Sequence, residues 1–403
     1  MSRPPADRYE AFLFDLDGVL YRGDAEVPGA ARTVSALRER GRHVVFLTNN
    51  SARTPERVAE KLGGIGIPAP PEDVVTSAVA TAAMLRGETA TAFVIGEEGV
   101  RKALADAGIE VLDGRPDGAD AVVVGWDRSV DYAALRTASV LVQRGAKLVA
   151  TNADASYPAP GGELWPGAGA LLAAVETTTG SRAEAAGKPA RPLFDAAVER
   201  AGTREALVVG DRVETDILGA EAAGLDAAVV FSGAAGPATL LEHDVSPVAA
   251  MADVGGLLEP RPLVRARPPE GRWAAVRRLV EEAGLPAEGD PEEALATEED
   301  GEVVGTASVA ASGGDGYLHS VAVREDLRGL HLGTLIAARG VRRALELGAC
   351  RVHLVTEDGA SFFSRLGFAP IGREELPGWV AERCRACSES ATTMVWPADS
   401  AAR

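Results

Sequence analysis

Ala11-Phe12-Leu13-Phe14-Asp15-Leu16-Asp17-Gly18-Val19-Leu20 is the segment on which the fold turns. Four apolar residues in a row read as a short strand buried on both faces, as in a parallel sheet. Two carboxylates, two residues apart, follow it directly. Ligands of such sheets bind beyond the carboxyl ends of the strands. Asp15 therefore projects into a site, and the turn at Gly18 brings Asp17 over the same pocket. The pair suits covalent phosphoryl transfer, in which one carboxylate attacks and the other moves a proton.

Three further segments have the same character. Thr48-Asn49-Asn50-Ser51 follows the apolar run His43–Leu47 and offers hydroxyl and amide donors to phosphate oxygens. Lys188-Pro189 holds one of only four lysines in the chain, at a loop-to-helix boundary. An ammonium there neutralises phosphate and carboxylate alike. Gly210-Asp211-Arg212-Val213-Glu214-Thr215-Asp216 follows the run Leu207–Val209, and its acidic side chains suit Mg²⁺, a hard cation that prefers oxygen.

Outward from these points, short apolar runs alternate with helical patterns, the mark of parallel α/β units. Strands are expected at Phe93–Ile95, Ala121–Val124, Lys147–Ala150 and Ala227–Phe231. Helices are expected from Pro28 to about Arg40, and around 55–62, 97–107, 131–144, 168–179, 191–201 and 214–223. Glu259-Pro260-Arg261-Pro262 interrupts the pattern. Beyond it the sequence predicts a helix over 271–283, strands near 302–311, 316–323, 351–356 and 392–396, and helices over 331–346 and 359–366. There is no internal repeat.

In order and context, the four segments resemble the motifs of the haloacid-dehalogenase superfamily over roughly residues 9–258. That resemblance makes Asp15 the nucleophile and Asp17 the general acid and then base, with Thr48 and Lys188 binding phosphate. It assigns Mg²⁺ to Asp15, Asp211 and the backbone carbonyl of Asp17, with Asp216 orienting metal-bound water or Lys188. About 140 residues separate Thr48 from Lys188, far more than one βα connection needs. The insert resembles the large α/β cap of the class IIA members, which include 4-nitrophenyl, phosphoglycolate, pyridoxal and ribonucleotide phosphatases. Thr151-Asn152-Ala153-Asp154-Ala155-Ser156-Tyr157-Pro158 and Trp165-Pro166-Gly167-Ala168-Gly169 resemble that class as well. Asn49, Asn152 and Asp154 are thereby candidates for substrate contact. A closing cap excludes water and limits substrate size, which favours a small phosphorylated metabolite.

The C-terminal part carries Val321-Ala322-Val323-Arg324, then Arg328-Gly329-Leu330-His331-Leu332-Gly333 opening a helix, then Phe362-Phe363-Ser364-Arg365-Leu366-Gly367-Phe368. Amides at a helix N-terminus bind phosphate. The stretch 262–398 resembles the GNAT acetyltransferase fold, which implies an acetyl-CoA loop at Arg328, Gly329, His331 and Gly333. Two residues depart from the pattern. His331 stands at the loop's middle glycine, and Phe363 stands where many members have a proton-donating tyrosine. Weak or absent acetyl transfer is expected.

The resulting fold class is α/β: a Rossmann-like haloacid-dehalogenase core with an inserted α/β cap, joined to an α+β GNAT-like domain. The expected division is core at 1–79 and 187–259, cap at 80–186 and C-terminal domain at 260–403. This pairing resembles the actinobacterial glycerol-3-phosphate phosphatases, so glycerol 3-phosphate is the expected substrate. Phosphoglycolate, pyridoxal phosphate or a nucleotide monophosphate are the alternatives, as is a bifunctional phosphatase/N-acetyltransferase.

Composition bounds these readings. The chain has 403 residues, 46% hydrophobic and 25% charged, with a net charge of −18. That charge argues against a general binder of nucleic acid or anionic membrane. Cys350, Cys384 and Cys387 do not form a disulfide framework, and the lone C-x-x-C lacks the second pair a structural zinc needs. No apolar run reaches membrane-spanning length, and the polar, Pro-rich N-terminus does not read as a signal peptide. A cytoplasmic protein is expected, and a homo-oligomer is compatible with the sequence.

Overall fold

The computed structural model describes residues 2–158, 160–286, 293–384, 387–388 and 390–397. Two compact units are distinguished. One is made of Tyr9–Gly210 and Glu214–Asp226, and the other of Ala227–Arg403 with two short earlier segments.

In the first unit the strands Ala206–Gly210, Ala11–Asp15, His43–Thr48 and Val74–Thr76 lie side by side, all parallel. Phe12, Phe14, Phe46, Leu207 and Val209 are fully buried, which is why these runs are apolar on both faces. Asp15, Thr48 and Gly210 are the last residues of their strands. The sheet therefore delivers the chemistry-bearing segments to one edge. The first helix is shorter than expected, Ala30–Glu39, because Gly29 precedes it with φ at +82°. The expected helix over 214–223 is a π-helical turn, Val213–Ile217, followed by Leu218–Ala222.

The helix Arg191–Ala201 is amphipathic and buries Leu193, Phe194 and Ala197. Phe194 lies so close to Gly219 that a Cβ there would meet its ring carbon at 2.4 Å. The small residue and the large one form a single packing unit.

A second parallel sheet is inserted between Thr48 and Lys188. Its strand order is Glu184–Ala185, Lys147–Ala150, Ala121–Val124, Thr91–Ile95 and Glu110–Leu112. Alternate residues feed opposite faces. Phe93, Ile95, Val122 and Val124 pack with Leu141, Leu172 and Val175. Ala92, Val94, Ala121 and Val123 pack with Ala78, Leu85, Val100 and Leu104. The helix supplying Ala78 and Leu85, Ser77–Leu85, is absent from the sequence-based expectations. It is buried nearly all round and so has no amphipathic stripe to reveal it.

In the second unit, Ala249–Met251 pairs in parallel with the strand Asp226–Val230. A mixed sheet follows in the order Glu293–Glu299, Glu302–Ser312, Asp315–Val323, Arg351–Thr356, Thr392–Trp396 and Ala369–Ile371. Its one parallel pair, Asp315–Val323 with Arg351–Thr356, is in register only from Asp315 to Tyr317. Beyond Tyr317 the strands part, and a cleft of about 850 Å³ opens, lined by Val321, Val323, Arg328, Gly333, Val355 and Phe363 among others. His331 caps the helix Leu332–Glu346 in the left-handed conformation, φ +60°. Its imidazole lies edge-on to Phe231, with ring centroids 5.0 Å apart, and is not part of the cleft lining. The same helix packs on Thr239–Glu242 and Ala249–Met251, and Arg342 pairs with Asp244 at 2.9 Å. Among the described residues, no helix is long and apolar enough to cross a membrane.

Phe194→Ala is expected to destabilise the first unit by about 3–5 kcal/mol, since the cavity cannot refill beside Gly219. Urea unfolding followed by a probe in that unit checks it. A change below about 1 kcal/mol would show that the site collapses freely.

Candidate active site

The ammonium of Lys188 is the centre of the site. Its Nζ donates to Asp15 Oδ1 in a very short contact and to Asp216 Oδ1 at 2.6 Å. Lys188 and Asp216 are buried, with 4% and 1% of the side chain exposed, and Asp15 is close to buried at 13%. Burial works against the charge on Lys188, but Asp15 and Asp216 outweigh it and raise its pKa above the ordinary lysine value. The lysine therefore stays protonated. In an interior of low dielectric it holds both carboxylates in place.

Asp211, the residue after the strand Ala206–Gly210, completes the acidic set. Carboxylate oxygens of Asp15, Asp211 and Asp216 all lie within 4.8 Å of one another. Asp211 is 3% exposed, and its Oδ2 accepts from the Ala234 amide at 2.7 Å. Three clustered carboxylates, two of them paired with one ammonium, leave an excess of negative charge in a buried place. Oxygen-only donors with excess negative charge fit a hard divalent cation.

Two glycines make this arrangement possible. A Cβ at Gly210 would fall 2.2 Å from Asp216 Cβ, and one at Gly233 would fall 1.9 Å from Asp211 Oδ2. Gly210 is part of the acidic motif. Gly233 is not visible as a site residue in the sequence, because its role depends on a through-space approach to a side chain some twenty positions earlier.

Asp17 is exposed. The turn after it is closed by the Gly18 amide donating to Tyr21 O at 2.7 Å. Gly18 has φ +82°, which glycine adopts without steric cost. Burial, with Asp17 and then Asp15 nearby, raises the pKa of the Tyr21 phenol. The Lys61 ammonium sits 3.8 Å from the centre of the Tyr21 ring. Burial and then Arg53 lower the pKa of Lys61. Tyr21, Arg53 and Lys61 are thus a charged and aromatic rim that the motifs did not point to.

Thr48 is buried at the end of its strand, and its Oγ1 accepts from the Asn50 amide at 3.1 Å. Asn49, Asn152 and Asp154 lie together: Asn49 Nδ2 reaches Asp154 Oδ2 at 3.2 Å, and Asn152 Nδ2 donates to Asn49 O at 2.8 Å. Thr151 Oγ1 donates to Ser51 Oγ at 3.0 Å. The structure thus gathers Asp15, Lys188, Asp211 and Asp216 around one point and joins Asn49 to Asn152 and Asp154. Arg328, Gly329, His331 and Gly333 form a turn of the other unit, where Arg328 and Gly333 face the cleft and His331 does not.

Family models agree with this geometry. Residues 12–110 match the haloacid dehalogenase-like hydrolase model, and residues 185–257 match a second, HAD-hydrolase-like model. An acid sugar phosphatase of Staphylococcus haemolyticus is 37% identical over 250 residues, covering 61% of this chain and 94% of that protein. The chain belongs to the haloacid dehalogenase-like hydrolases. Residues 261–368 match the acetyltransferase (GNAT) family, so this hydrolase carries a C-terminal GNAT domain. A D-glycerol 3-phosphate phosphatase of Mycobacterium tuberculosis is 39% identical over 231 residues, covering 57% of this chain and 64% of that protein. A crystal structure of a glycerol phosphate phosphatase from Mycobacterium tuberculosis in complex with magnesium superposes with a TM-score of 0.71 at 29% identity. It covers 91% of this chain and 99% of that one. The hydrolase is a phosphoric monoester hydrolase with a site fit for a divalent metal.

Gly233→Ala is expected to displace the Asp211 carboxylate and raise the divalent-metal concentration for half-maximal activity by about tenfold or more. Metal titration of phosphate release tests this. An unchanged metal requirement would remove Asp211 from the metal set.

Proposed function

We propose that this hydrolase is a Mg²⁺-dependent phosphatase acting on a small phosphomonoester, glycerol 3-phosphate above others, through an aspartyl-phosphate on Asp15. The observation that carries the reading is the buried Lys188 bridging Asp15 and Asp216 inside a cluster of three carboxylates. An ammonium and a divalent cation in one place match the charge that builds up on a phosphoryl group in transfer.

Asp15, Asp211 and the Asp17 carbonyl would hold Mg²⁺, which when bound neutralises phosphate charge and aligns the phosphoryl group. Asp15 forms the new O–P bond as the ester P–O bond breaks. Asp17, exposed above the site, gives its proton to the departing alcohol oxygen. A water molecule then attacks phosphorus, Asp17 takes one of its protons, and the Asp15–phosphorus bond breaks. Lys188 and Thr48 bind the phosphoryl oxygens throughout, and Asp216 keeps Lys188 aimed. The inserted sheet, residues 80–186, acts as a cap between the core segments 1–79 and 187–259, and the remainder from 260 is the GNAT domain.

Support for glycerol 3-phosphate comes from the mycobacterial matches named for glycerol phosphate, among them a solved structure that aligns along 91% of this chain. The staphylococcal relative is named for sugar phosphates, so a sugar phosphate joins phosphoglycolate, pyridoxal phosphate and nucleotides as competitors. A second reading, a bifunctional phosphatase/N-acetyltransferase, is favoured by the open cleft between the parted strands and by the position of His331 outside it. The apolar ring of Phe363 in that cleft gives no proton to a leaving thiolate, so acetyl transfer remains inefficient in this reading. Free Cys350, Cys384 and Cys387 suit a reducing, cytoplasmic setting.

Asp15→Asn is expected to abolish phosphate release with the fold intact, and Asp17→Asn to slow it ~10²–10⁴-fold. EDTA should remove activity and Mg²⁺ restore it, whereas Ca²⁺ should inhibit through its larger, looser coordination shell. Near-wild-type turnover by Asp15→Asn, or full activity after exhaustive chelation, would refute the chemistry. Steady-state kinetics on a panel of phosphomonoesters tests the substrate. A competitor with kcat/KM about tenfold above glycerol 3-phosphate, a gap of roughly 1.4 kcal/mol, would replace it without changing the reaction class.

A further inference from the structure

Lys188 does its work from the end of a long insertion, and something must fix its backbone. The strand Glu184–Ala185 runs parallel to Lys147–Ala150. The pairing continues as the Ala186 amide donates to Ala150 O at 3.0 Å and the Gly187 amide to Thr151 O at 2.8 Å. The next residue is Lys188. The inserted sheet thus leads directly into the lysine.

Asn49 meets the chain there from the other side. Its Oδ1 accepts from the Lys188 amide at 2.8 Å, and its Nδ2 donates to Lys188 O at 3.0 Å. One carboxamide grips both backbone polar groups of a single residue. The direction of the amide is fixed, because an N–H needs an acceptor and a carbonyl needs a donor. The second Nδ2 hydrogen goes to Asp154 at 3.2 Å. Asn49 O in turn accepts from Ser77 Oγ at 2.7 Å and from Asn152 Nδ2 at 2.8 Å. Asn152 Oδ1 accepts from the Asp154 amide at 3.1 Å.

Gly187 is shaped to this grip. A Cβ there would lie 2.6 Å from Asn49 Oδ1 and 2.5 Å from Thr151 O. Any side chain would push the carboxamide off the lysine backbone. With both Nδ2 hydrogens and Oδ1 already engaged, the Asn49 side chain has little left to offer a substrate.

We propose that Asn49 is a positioning residue that clamps the Lys188 backbone, and that Asp154 ties the clamp to the inserted sheet. The placement of the ammonium between Asp15 and Asp216 then depends on how that sheet is seated on the core. The inference rests on the proposed role of Lys188.

The test is steady-state kinetics with 4-nitrophenyl phosphate and Mg²⁺ on the full chain. Displacing a catalytic group by about 1 Å costs on the order of 10²-fold. Asn49→Ala is therefore expected to lower kcat by about that factor, with KM changed less than about threefold. Asp154→Ala should lower kcat about tenfold, and Asp154→Asn, whose amide oxygen still accepts from Asn49, should recover most of that loss. The double variant Asn49→Ala/Asp154→Ala should be no worse than Asn49→Ala, because both act through one device. Circular dichroism and the unfolding midpoint report whether each variant is folded; should Asn49→Ala not fold, the Asp154 pair decides. Raised KM at unchanged kcat would make Asn49 a substrate contact and overturn the proposal. So would multiplicative losses in the double variant, or equal kcat in Asp154→Ala and Asp154→Asn. Lys188→Ala is the control. Full activity in that variant sinks the site assignment itself, whereas an inactive Lys188→Ala beside a wild-type-like Asn49→Ala sinks only the clamp.

Discussion

One ammonium held between two carboxylates organises this enzyme. Lys188 is almost wholly buried, and so is its partner Asp216. Burying a charge is unfavourable unless it is paired and hydrogen-bonded. Here the pairing also serves chemistry. The ion pairs with Asp15 and Asp216 hold the ammonium in one place, and Asp211 brings the local charge to a level that suits a divalent cation. Removing Lys188 would leave Asp15, Asp211 and Asp216 as clustered carboxylates with no cation to balance them.

The fold supplies this constellation from distant parts of the sequence by a simple device. Parallel strands end at one edge of a sheet, and each strand end contributes one group: Asp15, Thr48 and, one residue past Gly210, Asp211. Lys188 arrives differently, off the edge strand of the inserted sheet. Asp15 and Asp211 thus stand at the ends of strands of one sheet, while the ammonium that faces Asp15 follows a strand of the inserted sheet. The GNAT domain is a separate matter. Its strands part to leave a cleft, its glycine-poor loop keeps His331 on Phe231, and Phe363 supplies bulk without a hydroxyl.

Much of this was legible in the sequence because the signals are local. A buried run followed by acidic, hydroxyl or amide residues identifies a strand end without knowledge of its neighbours, and Ala11–Asp15, His43–Thr48 and Ala206–Gly210 follow that pattern. Local signals fail elsewhere for identifiable reasons. Ser77–Leu85 is apolar on every side and shows no helical stripe. Glu293–Glu299 is built of glutamate, alanine and leucine, all good helix formers, with the single exception of Thr297, yet it is a strand because pairing with Glu302–Ser312 overrides propensity. Gly233 is an ordinary residue in sequence, and Asn49 stands out there only as a candidate for substrate contact. What they do depends on atoms contributed from 22 and 139 positions away, to Asp211 and Lys188 respectively, and no spacing rule encodes such approaches.

The central claim is that Asp15 becomes covalently phosphorylated during turnover. Borohydride reduces an aspartyl-phosphate to homoserine, leaving a mass change on one residue. Rapid quenching of the wild-type hydrolase in steady state with substrate and Mg²⁺, followed by reduction and peptide mass spectrometry, reads this directly. The account predicts homoserine at position 15, dependent on substrate and on metal. Modification at another carboxylate, or sustained turnover with residue 15 unmodified on every quench time, would contradict it.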